Sequence, residues 1–148
     1  MRTNKQQLGD FGEEIVVKRC ACPRCKRKAT LKCLPNNFKC ADVICDFCGY
    51  LAQVKATRVK NITKLPKQQL GAAWGPQYER MNAGIYFPLF IVLVHLQSSA
   101  IYYLAADLQI PDMFVPRKPL GPTARKAGWL GFRYDFASVP GVGVVRIA

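Results

Sequence analysis

Apolar and polar positions change their period several times along the chain, and each change predicts an element. In residues 8–20, LGDFGEEIVVKRC, Leu8, Phe11 and Ile15 form one apolar stripe. Glu13, Val16, Val17 and Cys20 form another at i, i+3, i+4 and i+7, so the segment is expected to be a largely buried helix. Asp10 is its candidate N-cap, with Glu13 at capping-box spacing. Glu13 is therefore read either as that cap or as a group that contacts a metal. The period then falls to two. Residues 39–43 and 50–56 are expected to be the strands of a hairpin, with Asp42 on the first. Alternation places Leu51, Gln53 and Lys55 on one face and Tyr50, Ala52, Val54 and Ala56 on the other. Residues 57–66 form a basic loop. Residues 67–82 are expected to be partly helical, with Gly75-Pro76 breaking or restarting the helix. Residues 85–96 and 101–106, rich in Ile, Val, Phe and Tyr, predict adjacent antiparallel strands separated by Gln97-Ser98-Ser99. Residues 107–128 look irregular, and 131–136 and 142–147 look like short terminal strands. Neither a repeat nor a linker is evident, which predicts one domain over residues 1–148.

Charge sharpens this picture. Against 22 Lys and Arg the chain has 9 acids, a formal net charge of +13. No acid lies between Glu14 and Asp42 or between Asp46 and Glu79, and only Asp135 follows Asp112. Such a field favours a polyanion, and double-stranded DNA is the expected partner. The longest apolar run, 85–96, is interrupted by Pro88 and His95, so no membrane span is expected. The opening MRTNKQQLGD lacks the apolar core of a signal peptide, which points to the cytoplasm. There, seven cysteines suit metal better than disulfides. A single histidine, His95, excludes multi-histidine metal sites and His-Cys-metal nuclease patterns. No G-x-x-x-x-G-K-[ST] loop is present, and Ser98-Ser99 has no base in view.

Two chemical constellations overlap in residues 39–56. Cys22-x-x-Cys25 and Cys45-x-x-Cys48, nineteen residues apart, have the spacing of a tetrahedral four-thiolate zinc site. With no ligand position left open, such a zinc is structural. Cys20, Cys33 and Cys40 remain as small buried apolar residues. The second constellation is Asp42-x10-Gln53-x-Lys55. It resembles the PD-(D/E)XK signature of metal-dependent nucleases, with glutamine where an acid is usual. Magnesium prefers oxygen ligands. Asp42 offers a carboxylate, Gln53 an amide oxygen and Val54 a backbone carbonyl. Lys55 can orient the attacking water or stabilise charge building on phosphorus. The plainer alternative is a surface aspartate beside a solvated Gln/Lys face.

Residues 116–131, PRKPLGPTARKAGWLG, decide between these readings. They closely resemble a segment of the DpnI-type catalytic domain of the Dam-replacing restriction endonucleases. The order of elements also resembles that domain, over roughly residues 10–147. The resemblance implies an α/β, restriction-endonuclease-like core, with a central mixed sheet flanked by helices and an embedded four-cysteine zinc site. It further implies a Mg²⁺-dependent cut in adenine-methylated GATC. Asp42 and Lys55 match family positions, while Gln53 departs from the acidic ligand, weakening its hold on Mg²⁺. Zinc knuckles are expected over 22–48, and no winged-helix domain. Arg117, Lys118, Arg125 and Lys126 suit phosphate or guanine contacts, and Arg133 another phosphate contact. Trp129 offers an apolar face to N6-methyl groups, or else packs in the core. Two further readings stay open: a zinc-containing DNA-binding module with weak or lost catalysis, and a nuclease of the junction-resolvase kind.

Overall fold

A computed structural model describes residues 3–38, 40–123, 128–139 and 143–148. Helix α1 (Asn4–Arg19) precedes a short strand β1 (Leu31–Cys33) and the hairpin of β2 (Val43–Cys45) and β3 (Leu51–Arg58). Then come β4 (Gln68–Ala73), α2 (Trp74–Asn82), the paired β5 (Leu89–His95) and β6 (Ser98–Leu104), β7 (Phe114–Pro116), β8 (Gly131–Asp135) and β9 (Val144–Arg146). A mixed sheet runs β1-β2-β3-β5-β6-β9, in which β3 and β5 are parallel and the other neighbours antiparallel. A second, three-stranded sheet runs β4-β8-β7. Among the described residues no helix is long and apolar enough to cross a membrane.

β5 explains the layering. Its residues Leu89–Val94 are buried on both sides, as a central strand with a parallel neighbour requires. Phe90, Val92 and Val94 join Val16 of α1, Tyr50, Ala52 and Val54 in one core. Leu89, Ile91 and Leu93 join Phe114, Phe132 and Tyr134 in the other. Each buried Val, Leu, Ile or Phe among them contributes about 1.5–3 kcal/mol. The expected alternation of β3 is borne out, since Tyr50, Ala52, Val54 and Ala56 all face the α1 core.

Several expectations need correction. Helix α1 starts at Asn4, capped by Thr3 in a reciprocal box with Gln6. Asp10 and Glu13 are therefore mid-helix, and Glu13 serves no cap. The helix is also less buried than its two stripes suggest. It rests on one face only, burying Gly12 and Val16 and leaving Phe11 42% exposed. A Cβ on Gly12 would come within 2.8 Å of the Ala56 Cβ, so glycine permits this close approach of helix to sheet. Helix α1 covers one face of the mixed sheet, while on the other the second sheet and its aromatic core are joined by Trp74 and Met81 of α2. Residues 67–82 begin as a strand, because Gln69 pairs with Tyr134 far along the chain. Helix α2 starts at Trp74 with Pro76 in its first turn, where a missing N–H costs little. Asp42 precedes β2 rather than lying in a strand, and Ser98 and Ser99 belong to β6.

Candidate active site

The two Cys-x-x-Cys turns are built alike. The Cys22 N–H donates to the Arg27 carbonyl and the Lys26 N–H to the Cys22 carbonyl, at 3.0 and 2.9 Å. Their counterparts are Cys45 N–H to the Tyr50 carbonyl and Gly49 N–H to the Cys45 carbonyl, at 2.8 and 2.9 Å. The residue after each second cysteine has positive φ, 65° at Lys26 and 78° at Gly49. These turns aim backbone and sulfur at one point. The Sγ atoms of Cys22 and Cys48 are 3.6 Å apart, those of Cys25 and Cys45 3.7 Å, and all four lie within 4.8 Å of one another. A tetrahedron with Zn–S bonds of about 2.3 Å has edges of about 3.8 Å, so the four sulfurs fit zinc. Burial pushes the Cys45 thiol up, but hydrogen bonds from the Thr30 hydroxyl and the Cys48 and Phe47 N–H groups bring it down to about 6. That favours the thiolate a metal needs. Of the other cysteines, Cys20 is buried and its thiol pushed up to about 11 by that burial. Cys33 is exposed and Cys40 half-buried, contrary to the expectation of three buried residues.

The same hairpin builds a second site where it opens. β2 pairs with β3 only as far as Val43 and Ala52. The Asp42 N–H still donates to the Ala52 carbonyl at 2.9 Å, and then the chain leaves through Cys40 at φ 65°. The exposed edge of β3 is met by a side chain instead: Asp42 Oδ2 accepts the Val54 N–H at 2.7 Å. Gln53 sends its N–H the other way, to the Pro88 carbonyl at 2.8 Å. Since a strand residue points its N–H and C=O to the same side, the Val54 carbonyl also faces the Asp42 side. A cavity of about 350 Å³ lies along this edge, lined among others by Asp42, Val54, Lys55, Glu13 and Lys5, with Gln69 from β4.

Of the residues singled out in the sequence, Asp42, Val54, Lys55 and Glu13 thus share one cavity. Gln53 lines an adjoining one with Cys40. It is 8% exposed, and its Oε1 accepts the buried Tyr134 hydroxyl at 2.9 Å. Burial raises the Asp42 carboxyl above its usual range, opposed by the Val54 N–H and by Lys55. Burial lowers the Lys55 ammonium, opposed first by Asp42. Tyr134 is raised by burial, with Asp42 and Cys40 adding to the effect, and stays a neutral donor. Gln69, Tyr134 and Lys5 were not evident from the sequence. Gln69 lies in a stretch with helical appearance, and Tyr134 looks like one more aromatic of a core strand. Gln69 is 6% exposed, and neither amide atom has a hydrogen-bond partner among the described residues. An unpaired buried polar group costs about 1–3 kcal/mol.

The described residues of the basic motif continue the β7–β8 pairing. The Arg117 N–H donates to the Gly131 carbonyl, Leu120 N–H to Trp129, and Gly128 N–H to Leu120, at 2.9, 3.1 and 2.8 Å. Arg117 and Lys118 are exposed. Trp129 is half-buried against Gly131, where a Cβ would come within 2.6 Å of the indole. Arg133 is half-buried on β8, and its Nε has no partner among the described residues. Arg125 and Lys126 lie outside the described residues.

With this geometry in view, comparison with known families gives a match over the full length. The family model described as "DpnI: Dam-replacing family" matches residues 1–148, and the chain belongs to that family.

Proposed function

We propose that this protein is a restriction-type endonuclease. It hydrolyses phosphodiester bonds of double-stranded DNA with Mg²⁺ as cofactor, at adenine-methylated, GATC-like sites. The observation that carries the reading is the Asp42 carboxylate, fixed by the Val54 N–H at 2.7 Å and sharing a cavity with Lys55 and Glu13. Membership of a restriction-endonuclease family supports it. The parallel pair of β3 with β5, with the site at its open edge, suits a restriction-endonuclease-like core.

The oxygen donors around this edge are carboxylates, amides and a carbonyl, a hard set that fits Mg²⁺. Asp42 and the Val54 carbonyl would hold the ion. Gln53 offers the amide lone pair that Tyr134 leaves unused, and Glu13 adds a second carboxylate. When bound, Mg²⁺ would neutralise phosphate charge and acidify a water. In hydrolysis the water oxygen forms a bond to phosphorus and gives up its proton to solvent, while the opposite P–O ester bond breaks and the leaving oxygen takes a proton from solvent. Lys55 donates to a non-bridging oxygen as negative charge builds there. The four-thiolate site has no open ligand position, so its zinc is structural. Arg117, Lys118, Arg125, Lys126 and Arg133 position the DNA backbone or meet guanine edges. Trp129 meets the N6-methyl groups. Seven cysteines, four of them gathered to hold a metal, suit a reducing compartment such as the cytoplasm.

Incubation with Dam-methylated and unmethylated plasmid, with and without Mg²⁺, tests this. Cutting of the methylated plasmid only when Mg²⁺ is present is expected; cutting unchanged by chelation or by methylation state removes the corresponding part of the reading. One observation favours a second reading, a zinc-containing DNA-binding module with weakened catalysis. Gln53 is neutral, bonded to Tyr134 and outside the Asp42 cavity. That reading requires methylated duplex to bind and to be cut slowly or not at all at every Mg²⁺ concentration. On the nuclease reading, Gln53→Glu lowers the Mg²⁺ needed for half-maximal cleavage, because it restores charge beside the ion.

A further inference from the structure

We propose that Gln69 is a substrate-binding group of the Asp42 cavity. Its amide nitrogen donates to a non-bridging oxygen of the scissile phosphodiester, and its amide oxygen accepts a hydrogen of the attacking water. The proposal rests on the nuclease reading above and adds a residue from the second sheet to it.

Four observations carry it. Gln69 lines the cavity with Asp42, Val54 and Lys55. It is only 6% exposed, yet both amide atoms lack a partner among the described residues. Buried amides are nearly always paired, and one left unpaired at a cavity wall is met by water or ligand. A cavity of about 350 Å³ has room for either. Its position is also fixed. Gln69 pairs in register with Tyr134, so both point inward from the second sheet, and the Tyr134 hydroxyl is already committed to Gln53. Two residues on, a Cβ at Gly71 would come within 2.5 Å of the Phe132 ring, so β4 lies close against β8 beside the cavity. The chemistry suits the place. A further lysine here would compete with a cation for Asp42, whereas an amide binds phosphate and water without adding charge.

The test uses the full chain, labelled with ¹⁵N, and the variant Gln69→Met, which removes the amide and nearly keeps its shape. The side-chain NH₂ signals of Gln69 are identified by their loss in Gln69→Met. They are then followed as Dam-methylated duplex is added, with Ca²⁺ replacing Mg²⁺ to keep the DNA intact. The signals are expected to shift on binding. Gln69→Met is expected to melt at or above the wild-type temperature, since an unpaired amide is gone, and to cut at least tenfold more slowly in kcat. An NH₂ pair unmoved by bound duplex, or a wild-type kcat in Gln69→Met, overturns the proposal. If wild type and variant cut alike, the nuclease reading stands and Gln69 is not part of it. If duplex shifts the Gln69 signals but is never cut, the phosphate contact stands and the nuclease reading falls.

Discussion

The Cys-x-x-Cys knuckles and the Asp42 cavity occupy the two ends of one hairpin, yet they are built in opposite ways. Each knuckle is local. Five or six consecutive residues make the same pair of backbone hydrogen bonds, and the two turns bring four sulfurs to tetrahedral spacing. The cavity is assembled from α1, the segment before β2, the edge of β3, and β4. In the first site every sulfur faces the others. In the second, Gln69 keeps an unpaired amide, and both Asp42 and Lys55 are shifted toward their neutral forms by burial. A site whose groups satisfy one another around an ion holds structure. A site that leaves buried polar groups unsatisfied keeps them for a ligand.

That contrast can be broken first at the zinc end, where the effect is largest. One zinc per chain, bound by Cys22, Cys25, Cys45 and Cys48, is expected from elemental analysis of protein purified without chelator. Structural zinc binding is worth about 10–16 kcal/mol in small zinc modules. Cys25→Ser or strong chelation should therefore unfold the hairpin and abolish DNA cleavage with it. A chelated protein that keeps its circular dichroism spectrum would show that the knuckles hold without metal.

A smaller effect is expected at Tyr134. Tyr134→Phe leaves the Gln53 oxygen buried without its donor, a loss of about 1–3 kcal/mol in urea unfolding. Burial raises the Tyr134 phenol, so its contribution is present below the ordinary tyrosine range and is lost as pH climbs from there through the raised folded value. The stability difference between wild type and Tyr134→Phe should thus stay level to about pH 10 and shrink above it. A difference that grows between neutral pH and about pH 10 would instead mean that the phenol ionises more easily in the folded state.

The smallest effects belong to the basic motif, residues 116–131. A well-buried methyl group is worth roughly 1 kcal/mol, so Trp129→Ala should narrow discrimination between methylated and bare sites by up to about tenfold. Discrimination left unchanged would make Trp129 a packing residue, as its contact with Gly131 alone would suggest. Arg125→Ala or Lys126→Ala should instead weaken binding to all duplexes and lower the salt slope by about one per lost phosphate contact.

The same division decides what could be read from the sequence. The knuckles, the β2–β3 hairpin and the β5–β6 pair were legible, because each depends on spacing or alternation over a few residues. The position of α1 was not, since Thr3 and Gln6 form the cap while Asp10 and Glu13 imitate one about two turns further along the helix. Residues 67–73 were misassigned because their pairing with β8 outweighs local preference. For the cavity, Asp42 and Lys55 stood out through a motif. Gln69 could not, since only the packing of the second sheet against β3 brings it there. Gln53 stood out for its position in that motif, but its bond to Tyr134 arises from a contact eighty-one residues away.

The central claim is that DNA is cut at the edge of β3 and that the zinc end only supports it. Asp42→Ala separates the two most directly, because Asp42 lines the cavity and supplies none of the four sulfurs. Cleavage of Dam-methylated plasmid in Mg²⁺ should be measured for wild type and Asp42→Ala alongside zinc content and duplex affinity. Loss of cleavage with one zinc retained and binding near wild type is the predicted result. An Asp42→Ala protein that cuts at the wild-type rate would contradict the account.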